Sequence, residues 1–130
     1  MKISKLLLWC VGGFVVVVAI MFFALNIGMD EVKKLTISDV DLSRIADGIY
    51  LGSYHKGRWT YDVQVTVKDH AITTAKNTNK RMAVMKDFNE KIEAAIIKKQ
   101  SPQVDVVSGA TVNTKAMSKA VETALTSAIK

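Results

Sequence analysis

The sequence predicts a small α+β domain carried on an N-terminal transmembrane helix. Three patterns predict it: a continuous apolar run over residues 6–28, strict alternation over residues 61–68, and two later stretches with apolar residues at helical spacing. The chain has 130 residues and is 49% apolar, but 19 of the 23 residues from 6 to 28 are apolar, with Asn26 the only polar side chain among them. Length excludes a multidomain enzyme, apolar content excludes a disordered chain, and the single Cys10 excludes a disulfide scaffold. The expected organisation is an anchor over 1–28, a polar stem over 29–46 and a folded domain over 47–130.

The anchor is long enough for its task. At about 1.5 Å per residue its helix reaches roughly 34 Å, against a hydrocarbon core of about 30 Å. A cleaved signal peptide has a shorter apolar region ending in a small-x-small site, whereas Ala24-Leu25-Asn26 puts Asn where a small residue is wanted, so the helix is read as uncleaved. Bulky Trp9 before Cys10 argues against a lipoprotein site. Lys2 and Lys5 precede the helix and Asp30 and Glu31 follow it, which favours a single pass with the C-terminal domain outside the cytoplasm.

Beyond the stem, residues 49–54 and 59–68 are β-rich. Tyr61, Val63, Val65 and Val67 alternate with Asp62, Gln64, Thr66 and Lys68, the mark of a half-buried strand. His55-Lys56-Gly57-Arg58 supplies a turn, so the two runs pair as an antiparallel hairpin, and Asp69-His70 leads into a weaker third strand over 71–78. Met85, Phe88, Ile92 and Ile96 mark one amphipathic helix. Met117, Ala120, Val121, Ala124, Leu125 and Ala128 mark another. Pro102 ends the first helix, and Val104 to Val107 reads as a short strand between the two. The order is β-β-β-α-β-α, with helices against one face of a mainly antiparallel sheet.

The formal charge is +6, falling to +4 without Lys2 and Lys5. The basic residues are scattered and no aromatic-interleaved stripe accompanies them, so nucleic acid is not an expected partner. His55 and His70 fall in predicted turns without ligand-spaced partners and read as solvated, and no metal site is predicted. No nucleophile elbow, Walker loop or dinucleotide-binding glycine fingerprint occurs.

The most informative stretch is Asp105-Val106-Val107-Ser108-Gly109-Ala110-Thr111-Val112-Asn113-Thr114. A strand, a small-residue turn and a helix N-terminus aim free N–H groups and the helix dipole at one point, where a phosphate is favoured. Ser108, Thr111 and Asn113 are equally good helix N-caps, so spacing alone leaves anion binding and simple capping both open.

The run Asp105-x-x-Ser108-Gly109-Ala110-Thr111 resembles the flavinylation motif of the FMN-binding domain family, found in membrane-anchored flavin subunits of sodium-translocating quinone reductases and related complexes. Asp47-Gly48-Ile49-Tyr50-Leu51-Gly52 resembles the opening of that domain. The resemblance implies that Thr111 carries FMN as a phosphoester, installed by a separate flavin transferase with FAD as donor. It also implies that Asp105, Ser108, Gly109 and Ala110 are recognition positions. Tyr50, Tyr54, Trp59 and Tyr61 are strand aromatics, which more often fill a core than stack on a cofactor; Tyr50 is the preferred candidate among them to stack on the flavin ring. Asp69-His70 and Asn113-Thr114 depart from the family's usual Asp-Gly and Thr-Ser.

The expected function is therefore a membrane-tethered, extracytoplasmic electron carrier that exchanges electrons with redox partners in or at the membrane, a relay more than a stand-alone enzyme. Two alternatives stand beside it: a flavin-dependent reductase acting on a small acceptor, and a tethered interaction module with the same fold and no flavin.

Overall fold

The computed structural model describes residues 2–104 and 111–129. The apolar run forms helix α1, Lys2–Asn26, whose side chains are exposed along nearly its whole length. It is long and apolar enough to cross a membrane. Its end is abrupt: Gly28 adopts φ +85 and redirects the chain into the short helix α2, Met29–Lys33.

Three strands follow, β1 (Gly48–Lys56), β2 (Trp59–Lys68) and β3 (Ala71–Asn77), in an antiparallel sheet of order β1-β2-β3. The first hairpin is tighter than the sequence predicts. His55 and Lys56 extend β1, pairing with Thr60 and Trp59, and only Gly57 and Arg58 form the turn. Gly57, at φ +56, supplies the positive φ that a two-residue hairpin turn needs at its first central position. The second turn places Asp69 and His70 at φ 52 and 60, a left-handed pair without glycine.

β2 lies in the middle of the sheet, and its alternation is structural: Tyr61, Val63, Val65 and Val67 are buried, while Asp62, Gln64 and Thr66 lie half-exposed on the other face. β3 has no such alternation because a bulge at Thr66/Val67 shifts the register. Ile72 and Ala75 therefore both reach the core although they stand three residues apart.

Helices α3 (Lys86–Lys99) and α4 (Thr111–Ala128) cover the buried face, with α4 against β1 and β2 and α3 against β3. The expected first helix is preceded by an additional 3₁₀ segment, Lys80–Met85, capped by the Asn79 side chain accepting from Arg81 N–H. α3 ends not on glycine but on Gln100 at φ 56. Its amide donates to Ile97 O at 2.6 Å and Ile72 O at 3.0 Å, and its oxygen accepts from Ile72 N–H at 2.6 Å. One side chain thus closes a helix and covers the free edge of β3. The short strand expected at Val104 to Val107 lies largely outside the described residues; Val104 itself is irregular.

α4 approaches β1 so closely that a Cβ on Gly52 would stand 2.2 Å from Ala120 O and 2.5 Å from Ala124 N. Small residues on both elements, Gly52 below and Ala120 and Ala124 above, permit this contact. The segment expected as a polar stem also joins the core: Val32 and Ile45 are fully buried and Val40 nearly so. Val32 and Val40 stand between charged neighbours and Ile45 follows Arg44, which masks a segment that packs one side chain at a time.

Candidate functional site

Thr111 is the first residue of α4 and is exposed. The first turn of a helix holds N–H groups without intrahelical partners. No acidic residue stands in this turn to offset the positive end of the dipole. Asp105, Ser108, Gly109 and Ala110 lie outside the described residues.

Below Thr111, α4 borders a cavity of about 350 Å³. Thr114, Lys115 and Ser118 form its helical wall, Gln103 and Val104 a second wall, and the strap from Lys34 to Ile37 a third. The strap is held at two points. Lys115 Nζ donates to Leu35 O at 2.9 Å, and Ser38 N–H donates to Glu122 Oε2 at 3.1 Å, a carboxylate that Lys119 also engages at 3.1 Å. Lys34 and Lys115 are the charged side chains of the lining, with no acid among the described residues there. Ser118 is buried, and its Oγ has no hydrogen-bond partner among the described residues; the same holds for Asn113 Oδ1.

Tyr50 is not part of this lining. It is half-buried on β1 against the core, and its hydroxyl donates to Ala46 O at 2.6 Å. Asp47, in the same stretch, accepts from Asp69 N–H at 2.8 Å, which ties the start of β1 to the second hairpin. The histidines are engaged with protein. His55 Nε2 lies 2.8 Å from Asp62 Oδ1, and His70 Nδ1 lies 3.2 Å from both Leu42 O and Ile45 O. The Asn79 amide, followed by His55, holds the Asp62 carboxyl below its ordinary pKa. Among the described residues no cluster of His, Cys, Asp or Glu is placed to hold a metal ion.

Residues 54–126 match the FMN-binding domain. The chain belongs to the FMN-binding domain family. Its cofactor is accordingly FMN, and the α+β architecture agrees with that membership. A solved structure, the CPE2226 protein from Clostridium perfringens, is similar at 25% identity with a TM-score of 0.54, over 65% of this chain and 88% of that one. No match was found among curated proteins.

The residues present fit a phosphate-bearing flavin. The acid-free helix start suits the phosphate, and the lysine-lined cavity offers polar contacts next to it. The sequence singles out Thr111; it does not single out the cavity-lining residues Lys34, Lys115 or Ser118. Lys115 and Ser118 were accessible in principle, four and seven residues after Thr111 on one helical face. Lys34 reaches the cavity only through tertiary docking of the strap, which carries no local pattern.

Proposed function

We propose that this FMN-binding protein is a membrane-tethered, extracytoplasmic electron carrier whose flavin is joined by a phosphoester to Thr111. The observation that carries this reading is an exposed threonine at the acid-free start of α4, within a family domain that binds FMN. In this reading a flavin transferase supplies the group from FAD. The Thr111 Oγ–P bond forms as the anhydride bond to AMP breaks, and the hydroxyl proton is lost to a base. The helix N–H groups hold the resulting phosphodiester and the dipole offsets its charge.

Bound FMN supplies the redox chemistry, and the protein supplies position, electrostatics and attachment. Attachment prevents loss of the cofactor on the outer side of the membrane, while α1 keeps it near redox partners in or at the bilayer. The outward orientation is supported by Lys2 and Lys5 in the first turn of α1, ahead of its apolar run, and by Asp30 and Glu31 after the helix.

Intact mass of the chain produced together with a flavin transferase tests the reading. The expected result is a gain of one FMN less one water. Thr111→Ala abolishes the gain without unfolding the domain, because the residue is exposed. Thr114→Ala retains it, because Thr114 is buried, 2% exposed, and out of a transferase's reach. A modification that persists in Thr111→Ala overturns the assignment.

A further inference from the structure

The end of α1 and the near end of the folded head meet at one level. Residues 3–25 of the helix are exposed throughout, and cover begins at Asn26, Gly28 and Met29, where the apolar run of residues 6–28 also stops. In a chain whose α1 crosses a bilayer, the end of that run marks the edge of the hydrocarbon.

The first hairpin turn stands at this edge. A Cβ on Gly57 would lie 3.2 Å from Ile27 O, and one on Gly28 would lie 3.2 Å from Lys56 Cγ. The headgroup layer outside the hydrocarbon is about 5–7 Å deep on each side. A turn packed against Ile27 therefore sits within that layer.

Two cations flank Gly57. Lys56 is paired with Glu31. Arg58 is exposed and makes no ion pair among the described residues, and its guanidinium lies 4.9 Å from the centroid of the Trp59 ring. Stacking occupies one face of the guanidinium and leaves the edge N–H donors, whose fork matches two oxygens of a phosphate. The ring beneath is itself fixed, since Trp59 is 5% exposed and pairs with Lys56 across the turn.

We propose that the Gly57-Arg58 turn docks on the lipid headgroups of the leaflet from which α1 emerges, with the Arg58 guanidinium hydrogen-bonded to a phospholipid phosphate. This rests on α1 as a membrane span and is independent of where the flavin is held. The neighbouring charges define the kind of contact. Lys33, Lys56 and Arg58 stand against Asp30 and Glu31, too even a balance for a polybasic patch. The contact is a grip on one phosphate, which zwitterionic lipid satisfies as well as anionic lipid. The head is thereby held to the membrane twice, by α1 and by the headgroup beside it.

The test uses the full-length chain in phosphatidylcholine nanodiscs, with Trp9→Phe leaving Trp59 as the only tryptophan. Trp59 is expected to be quenched more by lipid carrying a nitroxide on its headgroup than by lipid carrying one at mid-chain. The thermal unfolding midpoint of the head is then measured for the parent and for Arg58→Gln, in the nanodiscs and in maltoside micelles, which hold no phosphate. Arg58→Gln loses the contact with the Trp59 ring in both surroundings, so any additional fall in the nanodiscs reads the phosphate. The expected result is a larger fall in nanodiscs than in micelles. Equal falls, or no excess quenching from the headgroup, overturn this proposal and leave α1 as a span. If the chain does not remain with the nanodiscs, the reading of α1 as an anchor falls and this proposal with it.

Discussion

Tyr61 is fully buried in the centre of β2, and its hydroxyl survives there by donating to Asn89 Oδ1 at 3.1 Å, while Asn89 Nδ2 donates to Met82 O at 2.9 Å. Burial pushes the phenol pKa from 10.0 up to about 12. The folded chain thus holds this proton more tightly than the unfolded chain. The resulting stability is complete below pH 10 and is lost as pH rises from there toward 12. Tyr61→Phe is expected to flatten that part of the stability profile in urea unfolding at a series of alkaline pH values. At neutral pH the same change leaves Asn89 Oδ1 without its donor and costs about 1–3 kcal/mol. At this scale the sequence is legible where one rule dominates. The alternation that buries Tyr61 was readable, but its partner stands 28 residues away and carries no local signal. His70 is the opposite case: a turn position suggests solvation, whereas the ring reaches back to two carbonyls of the preceding segment.

Between elements, the contact of α4 with β1 is set by the missing side chain at Gly52. A methyl group there meets helix backbone at 2.2 and 2.5 Å, atoms that cannot turn aside as a flexible side chain does. Gly52→Ala is expected to destabilise by about 3 kcal/mol or more, the upper end of overpacking, read as a lower urea midpoint. Gln100→Ala removes three hydrogen bonds, two of them joining the end of α3 to the edge of β3, and costs about 1–3 kcal/mol through the Ile72 groups it leaves unpaired. Helix positions were legible because apolar periodicity spans many residues. The bulge in β3 was not, since one extra residue breaks a period of two and leaves only a weaker pattern.

For the molecule as a whole, the segment after the anchor belongs to the domain. Chains beginning at Met29 and at Asp47 differ by Val32, Val40 and Ile45, all core residues. Each buried aliphatic side chain is worth about 1.5–3 kcal/mol as an upper estimate. The shorter chain is expected to unfold at markedly lower urea, and equal midpoints would contradict this packing. The candidate attachment residue, Thr111, was legible because a motif is contiguous. The cavity was not, because its walls come from three separated stretches that only folding assembles.

The first hairpin abuts the end of α1. A Cβ on Gly57 would lie 3.2 Å from Ile27 O, one on Gly28 would lie 3.2 Å from Lys56 Cγ, and Lys56 pairs with Glu31 at 2.5 Å. A mounting this close sets the angle between the head and α1, so the head does not swing freely about the end of that helix. If the chain is the tethered carrier proposed above, its exchange with redox partners would depend on lateral drift in the plane of the lipid, each encounter finding the same side of the head turned outward.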